Sequence, residues 1–117
     1  MSSQEKNDKE IIWVTTDPQG RAVSIHNTTW QHIKEKHKEI RGFGLKRIKS
    51  TVEKPFSIVH NETRCAIIYT DYTTSDLLFN VLTRANESLS QCTVSTAYLT
   101  SKAPKGHLIW QQNPKKK

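Results

Sequence analysis

The sequence predicts a single α+β domain in which an N-terminal hairpin and two helices pack on an antiparallel sheet of four or more strands. Three observations carry this expectation. A chain of 117 residues is one domain of ordinary size, with room for a core but not for a second one. Residues 30–40 and 45–52 repeat apolar side chains at helical spacing. Four short β-rich runs then follow one another with links of hairpin length.

Taken in order, residues 1–10, MSSQEKNDKE, contain no apolar run and read as a flexible arm. No stretch has the length or apolarity of a signal peptide or a membrane span, so the expected protein is soluble, cytoplasmic and without membrane contact. The domain is expected over residues 11–111, with a basic tail at 112–117. Residues 11–15 and 22–26 are β-rich and flank a turn containing Pro18 and Gly20, which makes a hairpin.

The hairpin leads into WQHIKEKHKEI, residues 30–40, around which the rest of the chain is organised. Trp30, Ile33, His37 and Ile40 fall at i, i+3, i+7 and i+10, one face of a helical period, with Lys34, Glu35, Lys38 and Glu39 opposite. Thr28 with Gln31 forms a capping-box pattern, and Gly42 and Gly44 offer an end, so a helix of about three turns is expected over residues 28–40. On the wheel His37 lies within the apolar face, while His32 and Lys36, four apart, share its flank. A core histidine with both nitrogens satisfied and a solvated flank histidine are the structural readings of these two. The chemical reading is that a neutral histidine serves as general base near pH 7 and that Lys36, one turn from His32, holds a phosphate.

Leu45, Ile48 and Val52 repeat the stripe, with Lys46, Arg47 and Lys49 off it and Pro55 ending the segment, which predicts a basic amphipathic helix over residues 45–53. Strands are expected at residues 56–60, 64–70, 77–84 and 92–100, with a turn at Asn61 and Glu62. In the last of them alternation sets Thr96, Tyr98 and Thr100 on one face and Ser95, Ala97 and Leu99 on the other, so a hydroxyl-lined strand end is expected near the helix face. Cys65 and Cys92 lack zinc spacing and read as buried free thiols. No glycine-rich phosphate loop, paired-carboxylate motif or metal cluster is written in the chain, so neither cofactor nor metal is expected.

Charge is uneven. Eighteen basic against eleven acidic residues give +7, residues 34–49 hold seven basic and two acidic side chains, and residues 101–117 hold five lysines and no acid. This points to a polyanion or an acidic protein as partner.

The order of parts, a hairpin, W..HI..KH, a TVEKP segment closing a helix, a strand bearing an arginine, LLFNVLTR and a closing VSTAYLTSK followed by a glycine and LIW, resembles the phage-associated branch of the barnase–EndoU–colicin–RelE (BECR) nuclease superfamily. The resemblance runs from about Ile11 to Trp110. It implies a barnase/RelE-like fold and metal-independent cleavage of RNA by a toxin or a phage or mobile-element effector. It also implies catalytic roles for His32 and His37 and for Thr96 and Tyr98 in the TAY strand, with Arg64 and Arg84 as further candidates for binding substrate; Lys36, Lys46 and Lys49 join them on the charge of residues 34–49 and not on the resemblance.

The expected chemistry is transesterification at an RNA phosphodiester. One histidine is base and the other acid or orienting group, a cation steadies the phosphate, and a hydroxyl donates a hydrogen bond. Partners would be RNA, such as tRNA or mRNA, and an acidic antitoxin or immunity protein. The competing expectations are a non-catalytic nucleic-acid-binding module and an adaptor for an acidic protein, both of which use the same charge.

Overall fold

The computed structural model describes residues 10–73 and 76–112. Seven strands form one sheet: β1 (Ile11–Thr16), β2 (Ala22–His26), β3 (Ser57–Asn61), β4 (Ala66–Tyr72), β5 (Leu78–Ala85), β6 (Gln91–Thr100) and β7 (His107–Gln111). Their order across the sheet is β1-β2-β6-β5-β4-β3-β7. Two helices, α1 (Asn27–Lys36) and α2 (Gly44–Glu53), pack on one face, and short 3-10 turns occupy Lys38–Ile40 and Glu62–Arg64.

The α+β class is as expected, but the sheet is larger and mixed rather than purely antiparallel. The hairpin is part of the sheet, and β2 runs parallel to β6 at Ala22, Val23 and Ser24 opposite Gln91, Cys92 and Thr93. The two helices and three strands between β2 and β6 supply the crossover that a parallel neighbour requires. β7 was not among the expected strands. It pairs antiparallel with β3 and seats Trp110 and Ile109 against the core.

Alternation along the strands explains the layering. Ile67 and Tyr69 of β4, Phe79 and Val81 of β5, and Val94 and Ala97 of β6 point to the helices and pack with Ile33, Ile40, Ile48 and Val52. Val94 and Ala97 share this face although three residues apart, because Ser95 is a bulge: Thr83 pairs with Val94 and Leu82 with Thr96. The stripe of α2 behaves as expected, with Ile48 and Val52 fully buried and Leu45 packed against the same cluster.

The first helix departs from expectation at both ends. It starts at Asn27 with His26 as N-cap and no capping side-chain bond, and it stops at Lys36, with His37 as C-cap at φ −126° and ψ 76°. The break lets Ile40 enter the core from the following 3-10 turn while His37 stays half-buried, not in the packed centre. Of the two thiols, Cys92 is buried but Cys65 is exposed, in left-handed conformation at φ 53° just after the Glu62–Arg64 turn. The arm at residues 1–9 and the tail at 113–117 lie outside the described residues.

The β1–β2 turn is fixed from inside. Asp17, 4% exposed, accepts from the backbone of Gln19 and Arg21, from the Arg21 guanidinium at 2.8 Å and from the Tyr69 hydroxyl at 2.6 Å. Burial alone would raise its pKa, but the bonds from Tyr69 and Arg21 outweigh that and hold the carboxyl below its usual range. Burial, reinforced by Asp17, pushes the Tyr69 phenol far above its usual value.

Candidate active site

Because β2 pairs with only the first residues of β6, the remaining edge of β6 is left to α1 and the Lys38–Ile40 turn, which pack against it. His37, at the junction of those two elements, reaches past this edge. Its ring lies 5.9 Å from that of Tyr98, a residue on the sheet face turned away from the helices. On the other side Nδ1 stands 3.6 Å from Glu39 Oε2.

Around this pair is a cleft of about 480 Å³ lined by His37, Arg64, Arg84, Ser95, Thr96 and Tyr98, with Ala66, Leu82 and Thr83. Arg64 is delivered by the tight β3–β4 connection, where Asn61 Oδ1 accepts from the Arg64 backbone at 3.2 Å and Cys65 N donates to Glu62 O at 3.2 Å. Arg84 projects from β5 on the same face as Leu82 and Asn80. The Ser95 bulge re-aims β6 so that Thr96 and Tyr98 face the cleft.

A second cavity of about 710 Å³ adjoins the first and shares Arg64, Leu82 and Tyr98 with it. Its floor is Ile68, Asn80, Leu82, Tyr98 and Thr100, and its walls are the Glu62–Arg64 turn and the 102–107 segment, which brings Lys102, Lys105 and His107. That wall is held in place. Asn61 Nδ2 donates to Lys105 O at 3.2 Å, and Gly106, at φ +139°, passes so close to β3 that a Cβ there would meet His60 O at 2.5 Å.

The structure therefore gathers His37, Arg64, Arg84, Thr96 and Tyr98 of the expected site and leaves out the rest. His32 and Lys36 are exposed and line neither cavity, so the two histidines are not brought together. Lys46 and Lys49 project from α2 on the helix side of the sheet, and Lys49 pairs with Glu53 at 3.8 Å. Part of the basic stretch has structural duties: Arg47 bonds Tyr72 O and Asp71, Arg41 bonds Lys34 O, and Lys34 sits over the Trp30 ring. Glu39, Ser95, Asn80, Lys102, Lys105 and His107 were missing from the expected site. A polar residue inside LLFNVLTR was a signal for Asn80, whereas nothing local marks a bulge at Ser95.

Among the described residues no cluster of three or more histidine, cysteine or acidic side chains could hold a metal, and no helix is long and apolar enough to cross a membrane. Comparison with protein families, with curated proteins and with solved structures found no match to this chain.

Proposed function

We propose that the protein is a metal-independent endoribonuclease of the BECR kind, acting as a toxin or as a phage or mobile-element effector. The observation that carries this reading is the meeting of His37, Arg64, Arg84, Thr96 and Tyr98 around one cleft. Transesterification needs a proton acceptor beside the ribose, positive charge on the phosphate and a donor toward the leaving group.

In this scheme His37 removes the proton from the 2′-hydroxyl. The oxygen attacks phosphorus, the bond from phosphorus to the 5′-oxygen breaks, and that oxygen takes a proton from solvent water, leaving a 2′,3′-cyclic phosphate and a 5′-hydroxyl. With Nδ1 turned to Glu39, Nε2 is the nitrogen free for substrate, and Glu39 gives the resulting imidazolium a counter-charge. Arg64 and Arg84 bear on the phosphate and its developing charge, with the Thr96 and Tyr98 hydroxyls as donors. An acidic antitoxin or immunity protein is the partner this reading implies, since the cleft is ringed with cations.

Incubation of the purified protein with total RNA in excess EDTA tests it. Cleavage leaving cyclic phosphate ends, lost in His37→Ala and kept in His32→Ala, is the expected result. A folded protein that binds RNA in a salt-dependent way and cleaves none of it would be a nucleic-acid-binding module instead.

A further inference from the structure

The larger cavity ends on an amide group that the fold does not use. Asn80 is 1% exposed at its floor; Oδ1 accepts from the Thr70 hydroxyl at 2.8 Å, while Nδ2 is buried and has no hydrogen-bond partner. Trp13 Nε1, Arg21 Nε and Arg47 Nε are also buried without a partner, but of these four donors Asn80 is the one that borders either cavity, where a ligand can supply the acceptor. Its neighbours along β5, Phe79 and Val81, are apolar and fully buried on the other face, so packing alone gives no reason for an amide here.

We propose that Asn80 reads the base of a nucleotide bound in this cavity, selecting uracil or guanine, whose pairing edges carry a carbonyl where cytosine and adenine carry an amino group. The proposal rests on the nuclease reading for the identity of the ligand as RNA. With Oδ1 held by Thr70, Asn80 presents a donor alone and complements a carbonyl oxygen. An asparagine that reads adenine uses both its oxygen and its nitrogen. Ile68 and Leu82 give the floor an apolar surface for a flat ring, and Tyr98, the cross-strand neighbour of Asn80, supplies an aromatic face.

Position fits the chemistry. Arg64 and Tyr98 border both cavities, so a base over Asn80 has its phosphate beside Arg64 and its ribose toward His37. The fixed wall at Lys105 and Gly106 keeps the cavity formed before ligand arrives, which lowers the ordering cost of binding.

The test titrates the wild-type protein with the four nucleoside 3′-monophosphates, measuring affinity by calorimetry and following the Asn80 side-chain amide by NMR. Uridine or guanosine 3′-monophosphate should bind roughly 10-fold tighter than the adenosine and cytidine forms, and these ligands alone should move the Asn80 amide signals. Asn80→Asp keeps the shape and the Thr70 bond but replaces the donor with an acceptor, so it should abolish or reverse the preference. Equal binding of all four with the amide unmoved overturns the proposal, whether or not the protein cleaves RNA. Cleavage with no Asn80-dependent base preference overturns it too and leaves the nuclease standing. Base-selective, Asn80-dependent binding by a protein that cleaves nothing supports the subsite and removes the nuclease. If Asn80→Asp does not fold, the wild-type amide signals decide.

Discussion

On the helix side of β5, Phe79, Val81 and Thr83 are fully buried, and Thr83 spends its hydroxyl on Ile67 O. One residue along from each, Asn80, Leu82 and Arg84 turn to the far side, where they border two connected cavities with Arg64, Thr96 and Tyr98. On the helix side the Asp17 carboxylate is closed by four accepted bonds, although Trp13 Nε1, Arg21 Nε and Arg47 Nε are buried there without a hydrogen-bond partner and border neither cavity. The far side leaves the Asn80 amide unpaired and keeps its cations at the rim. A buried polar group closed by its neighbours, as Asp17 is, holds a fold together, and one left open at a cavity, as Asn80 is, is available to a ligand.

The largest test of that contrast is Asp17→Ala. Removing one partner of a buried ion pair strands Arg21 and Tyr69 and should cost about 3–5 kcal/mol, read as a lowered denaturation midpoint at unchanged slope. The same carboxylate predicts a pH dependence. Its folded pKa lies below the unfolded value, so its contribution is fully present above about pH 4 and is lost as pH falls through the depressed value. Tyr69 acts in the opposite sense: its raised pKa favours the neutral phenol, and that contribution begins to disappear only above about pH 10, at the alkaline end. A flat stability profile from pH 2 to pH 7 would show that Asp17 is not the keystone of the turn.

On the far side, His37→Ala should lower RNA cleavage by roughly 10²-fold, the usual worth of a general acid or base, with little change in melting temperature because the side chain is about a third exposed. An equally active His37→Ala would remove that residue from proton transfer. Gly106→Ala comes next. The added methyl would meet the His60 backbone, and the backbone angle disfavours any side chain, so a cost of about 2 kcal/mol is expected, together with weaker nucleotide binding as the cavity wall shifts. The smallest effect belongs to His32→Ala. Exposed and outside both cavities, it should change stability by less than about 0.5 kcal/mol and leave cleavage unaltered, and a large loss of activity there would mean that the site extends over α1.

Much of the fold was legible in local pattern. The apolar stripe of α2, the hairpin and the β3 to β6 runs lie within a residue or two of their expected bounds, because periods of 3.6 and 2 follow from backbone geometry and burial. Arg64, Arg84, Thr96 and Tyr98 could be chosen as candidates from type and order in the sequence. Four features could not be read in advance: the parallel junction of β2 with β6, the edge strand β7, the break of α1 at Lys36 and the bulge at Ser95. Each is decided by contacts between segments far apart in the chain. No residue between 34 and 39 is a helix breaker, and a strict helical wheel therefore kept His37 on the core face with His32 nearby. Packing of Ile33 and Ile40 into one core, with α1 laid along the unpaired edge of β6, instead turned His37 to the cleft and left His32 in solvent. The sequence by itself determined which residues are apolar at which period, and so the elements and their faces. The tertiary structure decided which polar side chains meet, because that depends on register, strand order and the place where a helix stops.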